Sequence, residues 1–493
     1  MSIIKNIYLE YALLIGSGIL YTCSFSPIDF KIGIFISLAI YFYILAHSSR
    51  RSSAIKSYIY GLAIFSSGVS WIFNSVYYYG GEYLIISILM TMIFILFMSI
   101  FFIPIGFFVN QQTKIFRYYY PAIVPSIWVL MEIIRSNIFG GFPWLLAGAS
   151  QTGTLFDELY PSLGLYFVSF ITVAFSMMLI IIICSPIKKY LLIIYLTIVL
   201  TLLLTIRLIP INTSDAKEPL KITILQPNIN LGIKFHRNQI NNIKTSYLNL
   251  LNNNINSFVV MPETAIPTLY QLDKPFYEKI VKKFDIKLIS GIFNYNQLDK
   301  KVYNSILMLN KNKESIYNKR HLVPFGEYTP LENIFGIVSD MLKIPMSNIS
   351  HGASNQSKMY HNDISIHTLI CYEIAYPSLI NINDSDYGVI LNISNDAWFG
   401  NSFAPYQHLQ IAKVRALEAR LPIIRAANTG ISAVIDKNGV VINKIKLNQA
   451  GHMNVEVYPS KGITPYMYFG DYPLLMLIFS IILLYWKYYR KYG

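Results

Sequence analysis

Eight apolar runs of near-spanning length constrain this chain more than any other feature. Seven crowd the first 210 residues, at roughly 7–25, 32–47, 56–78, 83–109, 121–138, 163–184 and 189–209, and an eighth lies at 472–486. Crossing a hydrocarbon core takes about 20 apolar residues in a helix. In lipid every backbone polar group must find its partner within the protein, so such runs fold as helices. The residues are 54% hydrophobic and 13% charged, where a soluble chain carries roughly a quarter charged. That shortfall belongs to segments in lipid. The first run follows one lysine, Lys5, with no small-residue cleavage site before Phe25-Ser26-Pro27. It therefore reads as a retained span and not as a signal peptide.

A formal net charge of +14 raises nucleic acid as a partner. The basic residues, however, gather at the ends of apolar runs, with no stripe interleaved with aromatics. They read as membrane-surface charge, and no nucleic-acid partner is expected. With the N-terminus inside, the inner loops hold Lys5, Arg50, Arg51, Lys56, Lys114, Arg117, Lys188 and Lys189, and the tail holds Lys487, Arg490 and Lys491. The outer loops hold Lys31 and little else, with Arg135 near the outer edge of a span. This asymmetry predicts cytoplasmic termini and a polar segment on the outer face.

The expected fold is thus a polytopic α-helical membrane protein of eight transmembrane helices carrying one α/β domain. Residues 1–210 form the membrane domain, 211–470 the water-facing domain, and 471–493 the eighth helix with a short tail. Within 211–470, strand-like runs are Leu220–Pro227, Phe258–Pro262, Ile286–Phe293, Val302–Leu309, Ile364–Tyr372 and Gly388–Ile393. Helical periodicity over Tyr406–Leu421 sets Leu409, Ala412, Val414, Ala416 and Leu417 against Lys413, Arg415, Glu418 and Arg420. A hairpin-like pair spans Pro422 to Lys446 with the turn Asp436-Lys437-Asn438-Gly439.

Of three cysteines, Cys23 and Cys184 lie in apolar runs and only Cys371 lies in the polar part. No disulfide framework or zinc spacing can be built from them. Cys371 is either an inert buried thiol or a nucleophile, and a nucleophilic cysteine needs a base or a positive charge nearby. Glu263 in Met261-Pro262-Glu263 can take the proton if burial raises its pKa. Lys319 in Asn318-Lys319-Arg320 can stabilise a thiolate and then an oxyanion. The three stand 56 and 52 residues apart, on separate strands or loops. Spacing alone does not bring them together.

Three longer words sharpen this reading. Val259-Val260-Met261-Pro262-Glu263-Thr264, Asn318-Lys319-Arg320-His321-Leu322-Val323-Pro324-Phe325-Gly326-Glu327 and Ile370-Cys371-Tyr372-Glu373 resemble the three catalytic motifs of the nitrilase superfamily. Asn392-Ile393-Ser394-Asn395-Asp396-Ala397-Trp398-Phe399-Gly400, Gln407-His408-Leu409-Gln410, Arg425-Ala426-Ala427-Asn428-Thr429-Gly430 and Gly462-Ile463-Thr464-Pro465-Tyr466 are similar to its apolipoprotein N-acyltransferase branch. So are Ser67-Gly68-Val69-Ser70-Trp71 and Gly141-Phe142-Pro143-Trp144 in the apolar part. Ser70 and Pro227 are minor departures that do not touch the chemistry.

The resemblance implies an α-β-β-α sandwich in which Glu263 is the base, Lys319 the oxyanion stabiliser and Cys371 the nucleophile. Glu327 would be a supporting carboxylate, or else an exposed loop residue bonded to Tyr328. Tyr372 and Glu373 either shape the thiol's surroundings or pack a strand end. Trp398 and Phe399 line an acyl-chain groove or close the core behind Asn395. His408 is expected on the polar side of its helix, solvated or capping. Glu132 and Arg135 are a functional pair or a local structural one.

By resemblance, the activity is fatty acyl transfer in the bacterial inner membrane, with the α/β domain in the periplasm. A phospholipid such as phosphatidylethanolamine would acylate Cys371. The α-amino group of a diacylglyceryl-cysteine on an apolipoprotein would then take the chain. No metal or organic cofactor is indicated, and lipid traffic favours a monomer. One alternative is a membrane-anchored amidase for a small amide. Another is a transporter whose outer domain has lost its chemistry.

Overall fold

The computed structural model describes residues 6–109, 116–184, 197, 201, 204–206, 211–252, 254–328, 349–380 and 386–492. It forms two compact units, Met1–Trp71 with Ile88–Ile211 and Tyr468–Gly493, and Ile72–Ser87 with Asn212–Met467.

The first unit is helical, as its apolar runs require. Its helices include Ile7–Thr22, Gly33–Ala46, Arg50–Gly68 and Phe116–Asn137, followed by Tyr160–Cys184 and Tyr472–Tyr492. Among the described residues, three helices are long and apolar enough to cross a membrane: Leu84–Val109, Pro121–Gly140 and Leu155–Ile180. A fourth is added if the broken pair Arg50–Gly68 and Ile72–Tyr78 counts as one span. Ile7–Thr22, Gly33–Ala46 and Tyr472–Tyr488 are apolar but shorter. At 1.5 Å per residue, the 14-residue helix Gly33–Ala46 reaches about 21 Å, short of a hydrocarbon core of about 30 Å. The run expected at 189–209 lies almost wholly outside the described residues.

Close helix approach in this unit depends on small residues. A Cβ at Gly18 would stand 2.5 Å from the Ala63 Cβ, and one at Gly106 would stand 2.4 Å from the Ser53 carbonyl oxygen. The rings of Tyr41 and Tyr60 stack at 4.1 Å, and their hydroxyls bond Ser57 and Ser37. Both ionisable residues of the fifth expected span hold the loop that follows it. Glu132 accepts from Trp128 Nε1 at 2.9 Å and Ala147 N at 2.8 Å, while Arg135 donates to the carbonyls of Phe142 and Trp144 at 3.0 and 2.7 Å.

The second unit is a two-sheet sandwich of fourteen strands among the described residues. In chain order they are β1 (Ser214–Asp215), β2 (Leu220–Gln226), β3 (Phe258–Val260), β4 (Lys287–Asn296), β5 (Lys301–Leu309), β6 (Glu314–Asn318) and β7 (Met359–His361). There follow β8 (Ile364–Ile370), β9 (Gly388–Ser394), β10 (Ile423–Ala427), β11 (Ser432–Ile435), β12 (Val441–Ile445), β13 (Gly451–Val457) and β14 (Ser460–Lys461). One sheet runs β13-β2-β3-β4-β5-β6. The other runs β1-β14-β9-β10-β11-β12, with β8 joined to β9 and β7. Parallel pairing links β2-β3-β4 in the first and β8-β9-β10 in the second.

Side chains alternate between the faces of a strand. Ile222, Ile224, Val260, Ile289 and Ile306 of the first sheet meet Ile366, Ile370, Leu391, Ile393 and Ile424 of the second in one core. The opposite face of the first sheet, with Leu225, Val259 and Leu288, is covered by helices Ile240–Leu251 and Tyr270–Phe284 through Tyr247, Tyr277 and Ile280. Sheets buried on both faces read as continuous apolar runs, which is why these strands were legible.

Two expectations need correction. The helix expected at Tyr406–Leu421 runs Ala404–Ala419, and of its expected polar side His408, Arg415 and Glu418 are buried while Lys413 is half-buried. Arg415 pairs with Glu418 instead of meeting water. The single hairpin expected over Pro422–Lys446 is three strands, with β10-β11 and β11-β12 each antiparallel.

Candidate active site

Parallel strands place loops at their carboxyl ends, where open α/β sheets gather ligands. Glu263 follows β3 and Cys371 follows β8, while Asn395 and Asp396 follow β9. Lys319 follows the edge strand β6.

Glu263 is 4% exposed. Its Oε1 accepts from Asn304 Nδ2 at 2.7 Å and its Oε2 from the Asn395 amide at 2.8 Å. Its main-chain carbonyl accepts from the fully buried Lys234 at 3.2 Å. The turn around it lies directly on β4. A Cβ at Gly291 would stand 2.4 Å from the Thr264 nitrogen, 2.5 Å from the Glu263 Cα and 2.7 Å from the Pro262 oxygen. All three are backbone-fixed. Gly291→Ala is therefore expected to cost about 1–3 kcal/mol through overpacking and to displace Glu263. Thermal melting and activity should both fall, and unchanged activity would show that the turn tolerates the shift.

Lys319 is 1% exposed and lies between two carboxylates. Its ammonium is 2.8 Å from Glu327 Oε2, with a hydrogen bond to Oε1 at 2.9 Å, and 3.7 Å from Glu263 Oε1. Glu327 is 4% exposed and also accepts from the Val323 amide at 2.8 Å. Asn304 Nδ2 bridges the two carboxylates, reaching Glu327 Oε1 at 3.0 Å. Of the two geometries open to Glu327, the structure has the buried carboxylate and not the exposed loop residue.

Cys371 sits at the junction of β8 and the 3-10 turn Cys371–Ala375, with φ of 51°. A side-chain-bearing residue in the left-handed region costs about 1–2 kcal/mol, and this kind of strain gathers at functional sites. Glu373, fully buried, secures the elbow. Its carboxylate accepts from the amides of Ile370 at 2.8 Å, Arg320 at 2.7 Å and His321 at 3.0 Å, and from the Tyr317 hydroxyl. One side chain thus ties the Lys319 segment to the Cys371 segment. Tyr372 is buried, with its ring 6.0 Å from His321 and 5.5 Å from Tyr376.

The expected groove residues separate. Trp398 packs with Phe235, Phe293 and Tyr328 around Leu322 and Ile349, whereas the Phe399 ring stands edge-on to His408 at 5.8 Å. Their carbonyls accept from Ser75 Oγ at 2.8 Å and Asn74 Nδ2 at 3.1 Å, respectively. Lys234 and Asn304 were missed. Lys234 lies on a four-residue helix, Leu231–Lys234, too short for a periodic signal. Asn304 sits in the middle of an apolar strand, where a buried amide is unusual, and that signal was available.

The electrostatics favour base-assisted attack. Burial first, and then Glu263, pushes the Cys371 thiol well above its ordinary value, while Lys319 acts against them. That direction favours the protonated sulfur at rest. Burial also raises the Glu263 carboxyl, opposed mainly by Lys319. Burial pulls the Lys319 ammonium down, but Glu327 and Glu263 more than offset it and hold it above the usual lysine range. Lys234 is lowered by burial to about 8, with Glu263 acting against.

Glu263 can take a proton only when ionised. Activity should therefore fall, as pH drops, at a value above the ordinary carboxylate range. Removing a cation disfavours the neighbouring carboxylate, so Lys234→Met should move that acid limb to still higher pH. The pH profile of activity tests this, and an unmoved limb would exclude Lys234 from the electrostatics of Glu263.

The chain matches the model of the carbon-nitrogen hydrolase family over residues 245–461 and that of the apolipoprotein N-acyltransferase N-terminal domain over residues 17–178. Among solved structures, a carbon-nitrogen hydrolase from Helicobacter pylori G27 aligns at 15% identity and a TM-score of 0.36, covering 49% of this chain and 89% of that one. The apolipoprotein N-acyltransferase of Haemophilus influenzae is 30% identical over 500 residues, covering 97% of this chain and 95% of the relative. That of Wigglesworthia glossinidia brevipalpis is 32% identical over 492 residues, covering 96% and 95%. The similarity runs through the apolar and the α/β parts alike, and this chain belongs to the apolipoprotein N-acyltransferase family.

Proposed function

We propose that the chain moves a fatty acyl group from a membrane phospholipid, phosphatidylethanolamine foremost, to apolipoproteins. A thioester on Cys371 carries the chain, and the α-amino group of the N-terminal S-diacylglyceryl-cysteine receives it, in the last step of bacterial lipoprotein maturation. Eight helices embed the enzyme in the inner membrane as a monomer. Residues 1–210 form the membrane domain, residues 211–470 act on the periplasmic side, and residues 471–493 return the chain to the cytoplasm. The observation that supports this reading best is the buried cluster of Glu263, Lys319 and Glu327 around the Cys371 elbow, in a chain of this family.

In the first half-reaction Glu263 takes the thiol proton as sulfur attacks the ester carbonyl. The carbonyl electron pair moves to oxygen, where the Lys319 ammonium stabilises it. Collapse breaks the bond to the glycerol oxygen, which recovers the proton from Glu263, and the lysophospholipid leaves. In the second half the acceptor amine attacks the thioester carbonyl and gives a proton to Glu263. Cys371 departs by taking that proton, leaving an amide. Glu327 and Asn304 keep the base and the ammonium in place, and Tyr372 and Glu373 support the elbow.

Both substrates are held in the bilayer by their own chains. An active site tethered at the membrane meets them at high effective concentration, whereas extraction into water costs about 0.8 kcal/mol per CH₂. The test uses phosphatidylethanolamine with a labelled acyl chain and a diacylglyceryl-cysteine lipopeptide. Label should move to the lipopeptide as a hydroxylamine-stable amide, and acetylating its amine should stop transfer. Label released only as free fatty acid would contradict the acceptor assignment.

A further inference from the structure

Behind the Cys371 elbow lies a buried polar set that the acyl-transfer steps do not use. Leu391, Ile393, Ile424 and Ala426 face the core between the sheets. Alternation therefore turns Asn392 and Arg425, which are register partners on β9 and β10, to the opposite face. There they meet His408 of the helix Ala404–Ala419. Asn392 and Arg425 are fully buried, His408 is 1% exposed and Asp396 2%. Burying such groups is costly unless they bond one another, and they do. Arg425 donates to Asp396 Oδ2 at 2.7 Å and to the Asn392 amide oxygen. Ser394 Oγ donates to Asp396 Oδ1 at 2.6 Å.

Two members of this set converge on one atom, the main-chain oxygen of Cys371. His408 Nε2 stands 3.2 Å from it and Asn392 Nδ2 3.3 Å. A carbonyl only accepts, so Nε2 carries the hydrogen. With its hydrogen on Nε2 the neutral ring can only accept at Nδ1, and Arg425 Nη2, itself held by Asp396 Oδ2, stands 3.0 Å away as the donor that fixes the ring. Cys371 itself stands at φ of 51°, a conformation that costs about 1–2 kcal/mol, and bonds to its carbonyl oxygen help to hold it there.

We propose that His408, supported by Asp396 and Arg425 and assisted by Asn392, is a positioning residue that pins the Cys371 carbonyl and thereby aims the nucleophile. The inference rests on the acyl-transfer reading. In a trans peptide the Tyr372 N–H points opposite to the Cys371 oxygen, so the same pin also sets the direction of that amide. A peptide free to rotate would misplace Sγ relative to Glu263 and Lys319, and a displacement of 1 Å can cost about 100-fold in rate.

The test uses the full chain in detergent with phosphatidylethanolamine, following the acyl-enzyme by intact mass and Cys371 alkylation by iodoacetamide. His408→Ala should slow acylation about 100-fold with KM for the lipid unchanged. Alkylation, which needs no alignment with an ester, should change far less than acylation. His408→Gln keeps an amide donor and should recover most of the loss, and Asn392→Ala should reproduce the signature in weaker form. Wild-type acylation by His408→Ala would overturn the inference. Equal loss in the Ala and Gln variants with faster alkylation would also overturn it, since that marks a loosened core. An unacylated wild-type enzyme would fail the acyl-transfer reading first, and this inference with it.

Discussion

Cys371→Ser is expected to form no detectable acyl-enzyme and to lose at least about 1,000-fold in transfer, within the range seen when a nucleophile is removed from a working unit. The cause is specific to this site. Glu263 is raised by burial but remains a carboxylate-type base, matched to a thiol and far too weak for a serine hydroxyl. The substitution removes no buried charge and replaces the thiol by a hydroxyl of similar size. Folding and lipid binding should therefore persist, and thermal melting should stay within a few degrees of wild type. Intact mass after incubation with donor lipid reads the outcome, and wild-type turnover by the serine variant would sink the nucleophile assignment.

Lys319→Arg is expected to lose acyl transfer about 100- to 1,000-fold while the protein still folds. Arginine preserves the positive charge between Glu263 and Glu327, but its planar fork is wider than an ammonium. It would have to fit where Nζ now stands 2.8 Å from one carboxylate and 3.7 Å from the other. The oxyanion then loses a donor of the right reach. Lys319→Met differs in kind, because it leaves two buried carboxylates facing each other. Breaking a buried pair in that way costs about 3–5 kcal/mol, so the methionine variant should lose stability as well as activity. Melting temperatures together with single-turnover rates separate the two. An arginine variant with wild-type rates would reduce Lys319 to a structural counter-ion.

Much of this was legible because strand ends and motif words are local. Glu263 after Phe258–Val260 and Cys371 after Ile364–Ile370 stand where apolar runs break off into polar residues. His408 was misread for a physical reason. Its helix looks amphipathic only if water covers the polar side, but Asn392 and Arg425 from the sheet meet that side instead. A buried polar face and a solvated one have the same periodicity. Lys234 was invisible because nothing in a short loop helix marks a lysine as buried. In the apolar part, the run read as 56–78 begins as a helix at Arg50, capped by Ser49, and breaks after Gly68. Hydropathy reports where apolar residues lie but not where backbone hydrogen bonding stops.

The central claim is that Cys371 carries the acyl chain. Its most direct test is the intact mass of the full chain after incubation with phosphatidylethanolamine alone, before and after neutral hydroxylamine. The account predicts a gain of one fatty acyl mass, localised to Cys371 by peptide mapping and removed by hydroxylamine. A folded enzyme that stays unmodified across several donor lipids, or an acyl mass that resists hydroxylamine, would contradict it.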